Sequence, residues 1–282
     1  MDIPLQLAAE VQRNVLAALV EDIGGGDLTA LLTPANRRSH GAVLSREDAV
    51  LAGTAWFDAC FRLLDPLAVI RWHARDGGHI ASGQTLCEIE ASTRALLTAE
   101  RAALNFLQLL SATATATRRY VDAVAGTGAR IVDTRKTLPG LRLAQKYAVT
   151  CGGGSNHRLG LYDGILIKEN HIMAAGGVSA ALQQARAVSR GDVFIQIEVE
   201  TLEQLAEALD AGAGMILLDN MDLAQMRQAV GLTAGRSQLE ASGGVRLETV
   251  RAIAETGVDR ISVGSLTKNV RAIDLSLRHS EG

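Results

Sequence analysis

Residues 131–171 read IVDTRKTLPGLRLAQKYAVTCGGGSNHRLGLYDGILIKENH, and the order of residue types within them decides the fold. An apolar pair, Ile131-Val132, runs directly into Asp133-Thr134-Arg135-Lys136, and the apolar run Ile165-Leu166-Ile167 ends on Lys168. Short buried strands that end on cations are typical of sites in α/β barrels, where the C-terminal strand ends meet at one mouth. The stretch holds six cations (Arg135, Lys136, Arg142, Lys146, Arg158, Lys168) and three anions (Asp133, Asp163, Glu169), a net +3. The whole chain is −3, so the remainder carries −6 and the stretch is a local reversal of sign. Guanidinium forks match carboxylate and phosphate, and lysine adds a point charge, so a small polyanion is the natural partner. A solvated basic face is the alternative; it fits poorly with cations placed at strand ends.

Downstream, short apolar runs alternate with helical ones. ARIVDT, GILIKEN, VFIQIEVE, MILLDN, SQLEASGG and DRISVGS read as strands. LRLAQKYAVTCG, VSAALQQARAVS, LEQLAEALDAG, LAQMRQAVGL, LETVRAIAETG and LTKNVRAIDLSLRH read as helices. Such βα repetition implies a parallel sheet. Six strands fall short of eight, which leaves an incomplete barrel and a doubly wound sheet both open. No GxGxxG follows a strand, which weakens a dinucleotide site.

Upstream, residues 5–20 place Leu5, Ala8, Ala9, Val11, Val15, Leu16, Leu19 and Val20 largely along one helical stripe. EDIGGGDLT ends that helix; its acidic residues Glu21, Asp22 and Asp27 favour a structural loop over a phosphate cradle. Residues 38–90 read as short strands around one helix, AWFDACFRLL. DGGHIASGQTLCEIE resembles the hammerhead hairpin of biotinyl and lipoyl carriers, but no lysine precedes Lys136 to carry a prosthetic group. His73 and His79 read as structural or surface groups. Residues 92–125 contain no Gly or Pro and form one long helix or two in series. Arg101 follows Glu100 there, and its plain reading is a local ion pair.

The whole composition limits the function classes. A hydrophobic content of 48% gives an ample core, and a pI near 6.1 gives no reason to expect nucleic acid or an anionic membrane as partner. The three cysteines show no CxxC spacing, which suggests a reducing compartment and no disulfide scaffold. The start shows no leader pattern and no run is long enough to span a membrane, so a cytoplasmic protein is expected.

The strand ends carry the chemistry. They read Asp133-Thr134-Arg135-Lys136, Lys168-Glu169-Asn170-His171, Glu198-Val199-Glu200, Asp219-Asn220, Ser242-Gly243-Gly244 and Gly264-Ser265. Cations come from the first two, carboxylates from the middle two and small loops from the last two. Backbone N–H groups of late Gly/Ser loops are where a barrel commonly takes phosphate. Carboxylates facing a polyphosphate need a bridging cation, and magnesium suits two carboxylates with phosphate oxygens and water. No zinc spacing is present, and Cys151 reads as structural. The residues alone therefore point to a barrel enzyme acting on a phosphorylated, carboxylated small molecule with magnesium.

DTRKTLPGLRLAQKYAVTCGGGSNHRLGLYDGILIKENH, followed by EVE, ILLDN, EASGG and ISVGSLT, resembles the quinolinate phosphoribosyltransferases, the carboxylating nicotinate-nucleotide pyrophosphorylases. EDIGGGDLT and LTAERAALNFLQLLS extend the resemblance over almost the whole chain. It implies an N-terminal α/β sandwich over residues 1–113, joined by a C-terminal helix at 269–282, and an incomplete six- or seven-stranded α/β barrel over 114–268. It implies a homodimer, each N-terminal domain closing the partner's barrel. The reaction implied joins quinolinate and phosphoribosyl pyrophosphate into nicotinate mononucleotide, with release of pyrophosphate and carbon dioxide.

By the same resemblance, quinolinate lies among Thr134, Arg135, Lys136, His157, Arg158 and Lys168, with Arg101 supplied by the partner subunit. Lys136, Lys168, Glu198 and Asp219 are the implied catalytic groups, and Glu198 and Asp219 face ribose and magnesium-pyrophosphate, largely through water or pyrophosphate. Composition leaves Glu198 and Glu200 as alternatives, and the resemblance selects Glu198. Ser242, Gly243, Gly244, Gly264, Ser265, Leu266 and Thr267 match phosphate-binding positions, and Lys268 stands where some relatives have His. A paralogous family found with molybdate-transport genes, a Schiff-base aldolase using Lys168 and a non-catalytic sensor are the rival readings. The intact DTRKTLPGLR and CGGGSNHR motifs weigh against the first.

Overall fold

The computed structural model of the chain describes residues 5–191 and 193–280. Met1–Pro4, at the start read for a leader, Asp192, and Glu281–Gly282, the end of the expected last helix, lie outside the described residues. In chain order, α1 (Leu5–Ile23) leads to β1 (Arg38–Ser45), β2 (Ala49–Val50), α2 (Thr54–Leu64), β3 (Val69–Trp72), β4 (His79–Ile80), β5 (Thr85–Ser92) and α3 (Thr93–Ala123). Next come β6 (Arg130–Val132), α4 (Arg142–Cys151), β7 (Gly164–Ile167), α5 (Glu169–Ala175), α6 (Val178–Val188), β8 (Phe194–Val199), α7 (Leu202–Asp210) and β9 (Met215–Asp219). The chain closes with α8 (Leu223–Thr233), β10 (Gln238–Ser242), α9 (Leu247–Ala254), β11 (Arg260–Ser262), α10 (Ser265–Lys268) and β12 (Leu275–Ser280).

Contacts group these elements into two compact units. One takes the chain up to Arg118, Thr137–Gly153 and everything from Leu266; the other takes Arg119–Lys136 and Gly154–Ser265.

The first unit is built on an antiparallel sheet of order β12-β1-β5-β3, with β2 and β4 paired separately. Its core is aromatic at the centre: Trp56, Phe57 and Phe61 of α2 are fully buried among Leu96, Leu107 and Leu110 of α3. Truncating such a ring to alanine costs about 3–5 kcal/mol. Trp56 Nε1 donates to Asn14 Oδ1 at 3.0 Å, which satisfies the indole's polar edge inside the core. That bond also explains a departure from the expected α1 stripe. Val11, Asn14, Val15 and Leu19 are buried, whereas Leu16 and Val20 are 59% and 64% exposed. The buried face is centred on the Asn14 line, leaving the other two on its flank; the side chain of Leu5 lies outside the described residues.

Two further expectations are settled in this unit. In EDIGGGDLT, Asp27 Oδ1 accepts from the backbone N–H of Thr29 and Ala30, and Oδ2 accepts from the Thr98 hydroxyl at 2.8 Å. The Ala30 bond first, then the Thr98 bond, holds this carboxyl below its ordinary range. The loop is structural. The C-terminal helix at 269–282 is not formed: β12 replaces it and pairs antiparallel with β1, Val43 opposite Leu277. Ile273 and Leu275 are buried and Leu277 packs on the core, a period of two that a strand satisfies and a helix does not.

The second unit is a six-stranded, all-parallel sheet of order β6-β11-β10-β9-β8-β7. Its free edges are β6 and β7. Ser155 adds a single parallel bridge to Val132 on the β6 edge, and among the described residues no strand joins it to β7. The barrel is incomplete. Helix α5, absent from the sequence reading, starts directly at the end of β7, with Lys168 as its N-cap.

Candidate active site

Hydrogen bonds around β6 position the cationic loop of the second unit. Ser155 N donates to Ile131 O at 2.9 Å, and Asp133 N donates to Ser155 O at 3.1 Å. The fully buried Asp133 then accepts the backbone N–H of His157 on Oδ1 at 2.8 Å. So the segment carrying His157 and Arg158 is stitched to the strand that delivers Thr134, Arg135 and Lys136. Thr134 Oγ1 accepts from Lys136 N at 3.1 Å, closing the turn. Gly264, after β11, leaves room for the lysine stem: a Cβ there would lie 3.1 Å from Lys136 Cδ.

Thr134, Arg135, Lys136, His157, Arg158, Lys168, Glu198 and Ser242 line one cavity of about 180 Å3 at the strand ends. Arg158 Nη1 donates to Gly164 O at 3.0 Å. Burial, and then the neighbouring charge of Arg135, pulls the Arg158 guanidinium below its ordinary pKa, with Asp163 opposing. Lys168 Nζ lies 3.2 Å from Glu198 Oε2, and the Glu198 side chain is 13% exposed. Glu200 lies outside the cavity, exposed beyond β8; partial loss of hydration and then the carboxylates of Glu169, Asp219 and Glu198 push its carboxyl up.

Asp219 ends β9 next to this cavity rather than lining it. Asn220 follows in the left-handed region, φ +54°, donates from Nδ2 to Asp219 Oδ2 at 2.8 Å, and donates from its backbone N–H to Ser242 O at 3.0 Å. Gly243 has φ +101°, and a Cβ there would overlap Asn220 Oδ1. The acidic end of β9 and the small loop of β10 are thereby one interlocked piece. Gly244 and Gly264 lie in the neighbouring loops, and Ser265 Oγ is 3.5 Å from Tyr120 Oη. Leu266, Thr267 and Lys268 belong to the first unit: Leu266 and Thr267 are buried, Thr267 O accepts from Gln145 Nε2 at 2.8 Å, and Lys268 is exposed.

Arg101 belongs to the first unit. It is exposed on α3 and lines a separate cavity there with Glu21, Asp22, Asn105 and Leu141. The expected pair with Glu100 does not form: Glu100 Oε2 bonds His279 Nε2 at 2.9 Å, and Arg101 has no ion pair among the described residues. Cys151 is a free thiol raised to about 12, chiefly by burial.

Sequence reading missed two further lining residues, Glu240, 1% exposed, and Ser262, and the fully buried Gln196 that bonds Glu240. The signal was there in period two. Gln196 precedes Glu198 by two residues on β8, and Glu240 precedes Ser242 by two on β10, so both share the inward face of a strand-end site residue.

An α/β domain followed by an incomplete parallel barrel, with two guanidiniums, two lysines and a strand-end carboxylate lining one small cavity, defines an enzyme for small polyanions. Residues 27–111 match the model "Quinolinate phosphoribosyl transferase, N-terminal domain" and residues 113–278 match "Quinolinate phosphoribosyl transferase, C-terminal domain". The chain belongs to the quinolinate phosphoribosyltransferase family. It is 42% identical over 258 residues to the probable nicotinate-nucleotide pyrophosphorylase [carboxylating] of Bacillus subtilis, covering 92% of this chain and 89% of that one. It is 40% identical over 295 residues to quinolinate phosphoribosyltransferase [decarboxylating] 2b, mitochondrial, of Nicotiana tabacum, covering 98% and 84%. Among solved structures, the nicotinate-nucleotide pyrophosphorylase from Francisella tularensis superposes with a TM-score of 0.94 at 40% identity, covering 99% and 98%.

Proposed function

We infer that the chain transfers the phosphoribosyl group of phosphoribosyl pyrophosphate to the ring nitrogen of quinolinate, releasing pyrophosphate and carbon dioxide and leaving nicotinate mononucleotide for NAD synthesis. The observation that carries this is the placement of Arg135 and Arg158 beside each other in one cavity with Lys136 and Lys168. A ring with two adjacent carboxylates answers that arrangement. A monocarboxylate answers only part of it.

The residues suit the bond changes. Attack by the pyridine nitrogen forms the C–N bond as the C–O bond to pyrophosphate breaks, and positive charge develops on the ribosyl group. Glu198, held by Lys168, and Asp219, held by Asn220, are anions fixed beforehand for that charge. Arg135, Lys136, Arg158 and Lys168 orient the two carboxylates so that the nitrogen faces the ribose. Once ribosylated, the ring nitrogen is cationic. It accepts the electron pair left when the adjacent carboxylate departs as carbon dioxide, and that carbon then takes a proton.

The loops Ser242-Gly243-Gly244 and Gly264-Ser265 are assigned to phosphate through backbone N–H groups. Magnesium fits the hard oxygens of Glu198 and Asp219, but among the described residues no group of three ligating side chains exists to cage it. These two carboxylates would therefore hold it through water or through pyrophosphate oxygens. When bound, it would offset charge on the leaving pyrophosphate.

The working form is read as a homodimer with Arg101 supplied to the partner's cavity. Arg101 is exposed without an ion pair, and Leu16, Val20, Leu28, Leu31 and Leu32 give the first unit exposed apolar surface of the kind an interface covers. A cytoplasmic location is supported by three free cysteines, and no described helix is long and apolar enough to cross a membrane. The test is turnover: nicotinate mononucleotide, followed by mass, forms only when quinolinate and phosphoribosyl pyrophosphate are both present. Purified protein that forms none removes the assignment.

A further inference from the structure

A buried carboxylate beneath an anion-binding cavity is at odds with that cavity's purpose. Glu240 is 1% exposed and lines the cationic pocket, where its charge opposes a dianion. Its partners explain its presence. Arg260 Nε lies 3.1 Å from Glu240 Oε2, an ion pair whose alignment falls short of a hydrogen bond. Gln196 Nε2 donates to the same oxygen at 3.2 Å. Gln196 Oε1 meets His157 Nε2 at 2.7 Å, and His157 Nδ1 accepts the backbone N–H of Arg158 at 2.7 Å. Three strands and one loop therefore contribute to a single chain of polar contacts.

The direction of that chain is fixed from its buried end. An ionised carboxylate only accepts, so the Gln196 amide must turn its NH2 to Glu240 and its oxygen to the imidazole. Facing a carbonyl oxygen, His157 Nε2 must carry a proton. At the other nitrogen a backbone N–H, which can only donate, requires a lone pair on Nδ1. Protonating Nδ1 would set two N–H groups head to head in a site with 9% exposure. The groups facing the ring include the Arg158 and Gln196 contacts, the edge of Phe194, Asp133 through the His157 backbone, and Glu240 Oε1 at 3.8 Å from Nε2. That last distance is beyond a hydrogen bond, and Glu240 is neutralised by Arg260.

We propose that Glu240 and Gln196 are positioning residues that hold His157 as a neutral imidazole with its proton on Nε2, and through Nδ1 hold the Arg158 backbone. His157 then contributes no charge to the cavity. The dianion is met by Arg135, Lys136, Arg158 and Lys168, and the floor beneath them is made stiff and uncharged in sum by the Glu240–Arg260 pair. The proposal rests on the quinolinate reading for its effect on substrate, but not for its statement about the imidazole.

The experiment has two arms. The first follows the histidine ring nitrogens of the whole, substrate-free protein by long-range proton–nitrogen NMR across neutral pH, assigning His157 by its absence in His157→Gln. The wild type is expected to show one unprotonated Nδ1 and one protonated Nε2, unchanged with pH. Gln196→Leu and Glu240→Gln are expected to lose that fixed pattern, with His157 exchanging between tautomers or titrating. An imidazolium, or an Nδ1–H tautomer, in the wild type overturns the proposal even if neither variant folds. The second arm compares steady-state constants. Both variants should raise the KM for quinolinate about 3- to 10-fold, the range for losing one net hydrogen bond. The KM for phosphoribosyl pyrophosphate should stay within about twofold, less than a single interface hydrogen bond changes it. Folded variants with a wild-type quinolinate KM overturn the positioning role. Absence of any quinolinate turnover by the wild type overturns the substrate reading instead, and leaves the first arm to decide on the imidazole.

Discussion

Arg158 and Arg135 line one cavity, and burial first, then the charge of Arg135, lowers the hold of Arg158 on its proton. Two guanidiniums in one cavity are well matched to a dianion. Nicotinate, with one carboxylate, is expected to be a very poor substrate beside quinolinate. Arg158→Ala should cost about 2–5 kcal/mol in kcat/KM for quinolinate, the range for cutting one partner of a buried charge pair. Competitive turnover of the two acids measures this, and comparable rates would remove the two-carboxylate reading of the pocket.

The acidic side of the site should separate from the cationic side. Asp219→Asn should lose most turnover while calorimetric binding of quinolinate persists, and a chelator should abolish activity that magnesium restores. Gly243→Ala should behave like Asp219→Asn, because its Cβ would drive into Asn220, the residue that holds Asp219. Equal loss of quinolinate binding in both variants would place Asp219 on the wrong side of the reaction.

Much of this architecture is legible in residue order. The alternation from β6 to β11 shows in Ile-Val and Leu-Leu runs, and the site shows because charged residues follow those runs directly, as Lys168 follows Ile167. The last strand is not legible. LTKNVRAIDLSLRH satisfies a helical period until the β1 edge offers hydrogen bonds to Leu275–Ser280. Helix α5 is hidden because it is only seven residues long and begins without a loop. Glu240 and Gln196 sit inside apolar strands, and a single polar residue there carries no label. What makes them matter is each other, across β8 and β10, which order along the chain does not reveal.

The thiols should be silent. Burial raises Cys60 and Cys151 to about 12 and Cys87 further, and a raised thiol pKa means the reactive thiolate forms only as pH climbs towards that value. Between pH 7 and about 9, a disulfide reagent should titrate none of the three cysteines in the folded protein and all of them after denaturation. One fast-reacting thiol in the native protein would show that Cys151 has a polar, activating environment after all.

Arg101 gives the homodimer a sharp test. Arg101→Ala and Lys136→Ala proteins should each be nearly inactive. Mixed under subunit exchange, about half the dimers are hybrids and each hybrid holds one whole site, so up to about a quarter of wild-type activity should return. If subunits demonstrably exchange and activity stays absent, Arg101 does not act across the dimer.

The most direct measurement follows the carboxylate that leaves. Purified protein is given phosphoribosyl pyrophosphate, magnesium and quinolinate labelled in the carboxylate next to the ring nitrogen. Labelled carbon dioxide and unlabelled nicotinate mononucleotide should appear in equal amounts, and neither should appear when phosphoribosyl pyrophosphate is withheld. Mononucleotide without carbon dioxide, or carbon dioxide without phosphoribosyl pyrophosphate, would contradict the proposed reaction at this site.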